Sequence, residues 1–201
     1  MKLQLESVQL EDYLKEIPPV IQFNSPLVKQ SIEAIESQAS SLKERAKGAF
    51  ELARDQVTHS FDTKCKAVTI SAEEALEKKD GICFAKSHLL ATLLRGMNIP
   101  AGFCYQRVLR KETIESGYAL HGLNALYLEE AGWFRVDPRG NKEGIDSQFS
   151  IDEEKLAYPI RKSLGEIDYP NVLTAPLPSV ITAMRDSKDS QELFYKRPET
   201  L

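Results

Sequence analysis

The hydrophobic period of this chain changes once, at Pro100, and nothing else in the sequence constrains the fold as strongly. Upstream, apolar residues recur every three or four positions. Downstream they gather in short blocks rich in strand formers. The first pattern belongs to helices that bury one stripe and the second to strands. Runs of helix followed by runs of strand predict an α+β fold, with N-terminal helices packed on an antiparallel β-sheet.

Local signals place the elements. Residues 1–24 suggest a short helical stretch ending at Pro18-Pro19. Ser25 with Pro26 is a helix start, and Val28, Ile32, Ile35, Ala39, Leu42, Ala46, Phe50, Ala53 and Val57 then keep helical spacing as one broken helix or two. Ser71 to Glu74 is a capping box for a short helix to about Lys79. Asp80-Gly81 stops it, and a further helix begins near Cys83 with Leu89, Leu90, Leu93, Leu94 and Met97 as its stripe. Ala101–Leu109, Leu120–Leu128 and Trp133–Asp137 read as strands, the last two joined by a hairpin through Glu129 to Gly132. Beyond residue 150 the expectation is a helix near 152–157, an extended Pro-rich stretch, a helix near 179–187 and a frayed last dozen residues.

Composition limits the function classes. The chain has 201 residues, 42% apolar and 28% charged, which suits a single domain over 1–201. Lys plus Arg total 26 against 30 for Asp plus Glu, a net charge of −4, so no basic surplus exists to grip nucleic acid. No apolar run approaches the ~20 residues that span a bilayer, and the start, Met1 to Glu6, breaks into charge at once. The expected compartment is the cytoplasm, with no membrane partner. Three cysteines, Cys65, Cys83 and Cys104, are an odd number without CxxC spacing, so neither a disulfide framework nor a zinc knuckle is expected.

Cys83 stands apart from the other two. It falls in the first turn of a helix, where unpaired N–H groups carry partial positive charge and favour a thiolate. A thiolate attacks acyl carbons, and the Cys83 N–H points where an oxyanion would form. The competing reading is a buried cysteine that only packs, which suits Cys104 and Cys65 better. His121 opens a strand after the loop from Arg110 to Ala119, a place where scaffolds present reactive side chains. Beside Cys83 it would take the thiol proton; alone, it is an ordinary half-buried histidine. Asp137 ends the paired strand, within about two residues of opposite His121, and would hold the imidazole, or else merely precede the Pro138 turn. The conjunction is stronger than its parts: cysteine at a helix start, histidine at a strand start, acid at the end of the paired strand. Papain-like proteases and transglutaminases share that order.

The resemblance then becomes specific. Gly81-Ile82-Cys83, followed by Leu89 to Ala101, resembles the central motif of the transglutaminase-like superfamily. Phe50 to His59 resembles the helix before it, and His121 with Trp133 to Asp137 falls where that family carries its histidine and acid. The resemblance covers about 45–140, with 150–201 as a C-terminal extension packing on that core. His59 to Asp62, Ala85 to Leu90, Gly102 to Gln106, His121 to Ala125 and Arg139 to Lys142 look like the segments of a small bacterial branch. It implies a papain-like/transglutaminase-like core with Cys83 as nucleophile, His121 as general base and acid, and Asp137 as orienting acid, and it implies no cofactor. Leu123 stands where the family often has an aromatic residue. His59 stands where it often has Tyr or Trp assisting the oxyanion, so His59 or Gln106 is the candidate second donor and Tyr105 a candidate cleft residue.

Other residues favour plainer readings. His88 lies on about the opposite side of the helix from Cys83 and reads as a core or capping residue. Cys83, His88, Cys104 and His121 have no metal-ligand spacing. Arg139 to Lys142 suits either an acidic substrate group or a turn. The function expected is thiol-dependent acyl transfer on a peptide or small amide or ester through a thioester, as peptidase or amidase more than cross-linking transferase. The alternatives are a catalytically silent binding module on the same fold and a scaffold whose 150–201 segment docks a partner.

Overall fold

Capping chemistry sets the boundaries of the helical half. The computed structural model describes residues 1–201. A short strand β1, Gln4–Leu5, comes first, and a 3-10 turn follows at Leu10–Tyr13. The helical stretch expected there does not form, because β1 is drawn into a non-local pairing described below. Helix α1, Pro26–Gln38, starts where Ser25 Oγ accepts from Val28 N–H. Helix α2, Leu42–Glu51, starts on Ser41 in the same way and runs into a π-helical turn at Leu52–Gln56. A single turn of helix α3 covers Ser60–Thr63. Helix α4, Ala72–Lys78, has both halves of the Ser71–Glu74 capping box, and Lys79 in the left-handed region ends it.

Helix α5, Cys83–Gly96, differs from these. Every residue from Cys83 to Arg95 is buried, so the helix runs through the centre of the molecule instead of presenting one stripe to it. Its polar side chains are satisfied inside. Lys86 Nζ donates to the carbonyls of Arg54 and Val57 at the π turn. Arg95 donates to the carbonyls of Ala101, Lys15 and Thr174. Burial lowers the Lys86 ammonium to about 7 and the Arg95 guanidinium to about 10.

Against α5 lies the sheet. Strands β2 (Ala101–Leu109), β3 (Tyr118–Leu128) and β4 (Gly132–Val136) form an antiparallel meander, and β5 (Ile167–Asp168) pairs with the outer edge of β2. The order is β4-β3-β2-β5. Strand β6, Asn171–Val172, pairs parallel with β1. Helices α6 (Pro178–Arg185) and α7 (Ser190–Lys196) close the chain. One apolar core draws on residues from Val20 to Leu193.

Two expectations for the C-terminal extension fail. No helix forms at 152–157: the backbone there serves other partners, with Ala157 N–H donating to Asp137 and the Glu154 carboxylate drawn onto Arg135. The last dozen residues are not frayed. Asp189 caps α7 by accepting from Glu192 N–H at 2.8 Å, and the Phe194 ring packs edge-on against Phe61 at 5.1 Å. Pro198 O then accepts from Leu120 N–H on β3.

Candidate active site

The turn before α5 is tied down on the side facing residues 58–63. The Asp80 carboxylate accepts from the hydroxyls of Thr58, Ser60 and Thr63, and Thr69 Oγ1 donates to the Asp80 carbonyl. Gly81 N–H donates to Thr58 O, and Ser60 N–H to Gly81 O. These bonds deliver Cys83 to the first position of α5. Ile82 holds the N-cap position and supplies no side-chain acceptor, so the first amides of the helix remain unsatisfied by any cap.

Close approach of α5 to β3 depends on Gly122. A Cβ at that position would stand 2.7 Å from Phe84 Cδ1. With only hydrogen there, the helix start lies on the strand, and Cys83 faces the same cavity as the His121 ring. Register places the acid. Asn124 pairs with Val136, so Asp137 follows the last paired residue of β4 and lies beside the His121 end of β3. His121 Nε2 and Asp137 Oδ2 are 2.7 Å apart. The same carboxylate accepts from Arg139 N–H at 3.1 Å and Ala157 N–H at 3.0 Å, which fixes both oxygens. Exposure of Cys83, His121 and Asp137 is 2%, 2% and 0%, so all three act on one another with little screening.

Burial alone would lower the His121 imidazolium, but the Asp137 carboxylate and the Cys83 sulfur together raise it to about 9. For Cys83, burial opposes ionisation, while the charge and hydrogen bond of His121, the charge of Arg197 and the Gly122 amide bring its pKa below the ordinary thiol value. Cys104 provides the contrast: burial pushes it up to about 12, with the charge of Arg135 opposed by those of Asp168 and Glu154.

A cavity of about 250 Å³ opens onto Cys83 and His121. His59 lines it. Its Nδ1 accepts from Phe61 N–H at 3.4 Å, and burial, then the charge of Arg139, holds the ring well below its ordinary pKa. The neutral tautomer so defined carries its proton on Nε2. Gln106 and Tyr105 do not line this cavity. Gln106 sits opposite His121 in the β2–β3 register, yet its amide turns to Asp168 at 3.2 Å. Tyr105, one residue away and therefore on the other face, packs toward Phe84, and its hydroxyl accepts from Leu177 N–H. His88 is buried with Nδ1 2.7 Å from Ile70 O. No cluster of three or more His, Cys, Asp or Glu side chains is arranged to hold a metal ion.

Two residues at the cavity escape the sequence reading. The Tyr158 ring stands edge-on to His121 with centroids 4.8 Å apart, and its hydroxyl accepts from Arg139 Nε. Arg197 reaches the cavity from the end of α7. The first has no local signal. The second follows from the Asp189-x-x-Glu192 cap, which announces α7, but its position over Cys83 is a tertiary fact.

The transglutaminase-like superfamily model matches residues 29–138, more than half of the chain, and the chain belongs to that superfamily. A candidate cysteine protease from Cytophaga hutchinsonii shares the fold with a TM-score of 0.52 and 14% identity, over 66% of this chain and 43% of that one. The periplasmic domain of TgpA from Pseudomonas aeruginosa aligns at 0.48 and 16% identity, over 66% of this chain and 48% of that one. This chain therefore matches less than half the length of either structure. No curated protein matches it.

Proposed function

We propose that the protein is a cysteine-dependent acyl-transfer enzyme, with Cys83 as nucleophile, His121 as acid and base, and Asp137 as the residue that positions His121. One observation carries the reading: a thiol at an uncapped helix start lines the same cavity as an imidazole whose Nε2 is held at 2.7 Å by a carboxylate buried at 0% exposure. Chemistry follows from the charges. The Cys83 thiolate attacks the carbonyl carbon of an amide or ester, and its electron pair forms the C–S bond. The oxyanion that develops meets the free Cys83 N–H and the Nε2–H of His59. The His121 imidazolium protonates the departing amine or alkoxide, leaving a thioester. Neutral His121 then takes a proton from water, which attacks the thioester; the acid leaves and the thiolate returns.

Water is the acceptor in this reading, so the class is peptidase or amidase. A cavity of about 250 Å³ walled by the last helix admits water more readily than the lysine of a second protein. The substrate is a peptide or small amide or ester. A reducing compartment such as the cytoplasm, which keeps Cys65, Cys83 and Cys104 as the free thiols described here, completes the reading. The test is turnover of a panel of acyl-donor amides by wild type and Cys83→Ala. Release of amine by wild type alone, with a thioester trapped by mass spectrometry, supports the proposal. Equal turnover by both proteins removes it, and no turnover by either, with Cys83 no more reactive than free thiol, leaves the silent binding module.

A further inference from the structure

Arg197 is the one buried cation at the cavity without a carboxylate partner. Arg139 and Lys142 pair with Asp62, Arg110 pairs with Glu199, and Lys111 Nζ donates to Tyr195 Oη at 2.9 Å. The Arg197 guanidinium carbon lies 5.0 and 4.8 Å from the ring centres of Phe61 and Phe194, at the corner beside that edge-on ring pair. Its Nε donates to Phe194 O at 3.4 Å, and it forms no ion pair with any carboxylate. The residue is 8% exposed and lines the cavity that holds Cys83 and His121. Burial lowers it only to about 10, so it stays charged at neutral pH. A buried cation without a carboxylate partner is costly unless something pairs with it, and here the Cys83 sulfur is the chief opposing charge before a ligand enters. The cavity around it is cationic in a chain whose net charge is −4: five Lys and Arg side chains line it against the carboxylates of Asp62 and Glu112.

We infer that Arg197 is the specificity residue of the cleft and that it binds a carboxylate carried by the acyl donor, beside the carbonyl that Cys83 attacks. The inference rests on the acyl-transfer reading for the identity of the ligand as substrate. With Nε committed to Phe194 O and the guanidinium seated against the Phe61–Phe194 pair, the outer N–H groups remain to meet a carboxylate in two parallel hydrogen bonds.

Iodoacetate and its neutral isostere iodoacetamide test this. Cys83 alkylation by each is followed by peptide mass spectrometry, with rates normalised to glutathione. The wild type is expected to favour iodoacetate about tenfold more than Arg197→Gln does, with Arg197→Lys, which keeps the charge but loses the fork, falling between them. The His121 charge attracts iodoacetate too, but equally in all three proteins. If the iodoacetate-to-iodoacetamide ratio is the same in wild type and Arg197→Gln, Arg197 serves only as counter-ion to the sulfur, and the inference is overturned. Should Arg197→Gln fail to fold, competition decides: glutarate slows iodoacetamide alkylation of wild type and glutaramide does not, and equal effects overturn the claim. A wild-type Cys83 no faster than glutathione at pH 6 would sink the thiolate reading instead. The anion site is then judged by thermal shift of Cys83→Ala, where stabilisation by glutarate that disappears with Arg197→Gln supports it and no stabilisation refutes it.

Discussion

Nε2 of His121 stands 2.7 Å from Oδ2 of Asp137, which leaves Nδ1 as the nitrogen that serves the Cys83 thiol. The carboxylate therefore decides which nitrogen carries the proton when the ring is neutral. Asp137→Asn keeps an oxygen for the Arg139 amide but turns an NH2 group toward the Ala157 amide and offers the ring a neutral partner. The expected outcome is a folded protein whose kcat/KM falls by roughly 10³–10⁴-fold, with KM little changed. Steady-state kinetics beside a circular dichroism spectrum checks it, and a loss below tenfold would refute the positioning role.

The pair should give activity a wide plateau. His121 loses its proton only at about 9, so kcat/KM is expected to fall as pH rises through about 9, where the general acid disappears. The acid limb lies where the Cys83 thiolate takes up a proton, below the ordinary thiol range. A pH–rate profile rising through 8.5 with no fall near 9 would contradict this.

Stability should respond to pH differently. A raised His121 contributes stability that is full below its unfolded value near 6.5 and is lost as pH rises through about 9. A lowered Cys83 contributes stability that is present above its unfolded value and is lost as pH falls through its folded one. Where the two windows overlap the contributions oppose one another, so the pair's net slope is shallower than either group's alone. In Cys83→Ala the opposing contribution goes, and stability should decline from pH 6.5 upward by at most roughly 1.4 kcal/mol per pH unit. Urea denaturation of both proteins across that range is the measurement.

Gly122→Ala forces a methyl group against the Phe84 ring, whose Cδ1 lies 2.7 Å from the added carbon. Both elements are buried, so the helix start must shift. A cost of about 1–3 kcal/mol is expected, with a loss of activity larger than the loss of folded protein explains. An unchanged melting temperature would mean that the contact between α5 and β3 is loose.

Arg135 is almost wholly buried and donates to both Glu154 and Asp168, whose carboxylates are partly solvated. Arg135→Ala leaves two carboxylates facing each other. Their residual solvation places the cost toward the lower end of the roughly 3–5 kcal/mol for breaking a buried pair. Chemical denaturation gives the value, and Arg135→Ala with Asp168→Asn should recover part of it.

Legibility in the sequence followed the range of the interactions. The start of α5, the capping box of α4 and the strands β2 to β4 are local in origin, from Asp80-Gly81, Ser71-x-x-Glu74 and the hairpin at Glu129 to Gly132, and they were readable to within two residues. Segment 152–157 was not, because Arg135 and Asp137, far away in sequence, claim its Glu154 carboxylate and Ala157 amide. Tyr105 and Gln106 could never both face the cleft, since neighbours on a strand point to opposite sides. Which of them did was open, and neither does: Asp168 of β5 and Leu177 near α6 hold them elsewhere. The resemblance brought Cys83, His121 and Asp137 together on paper; Arg197 lies outside the matched residues 29–138 and needed coordinates.

The docking of Pro198 O onto Leu120 N–H, next door to His121, separates two kinds of evolvability in this molecule. In the proposed reading the reacting groups sit in mid-chain, while the wall that would choose among ligands is the stretch 190–199, tied to the core by Leu193 and to β3 by Pro198 O. Directed libraries at its partly exposed positions, with Leu193 kept, should therefore re-aim selectivity while leaving Cys83, His121 and Asp137 in place.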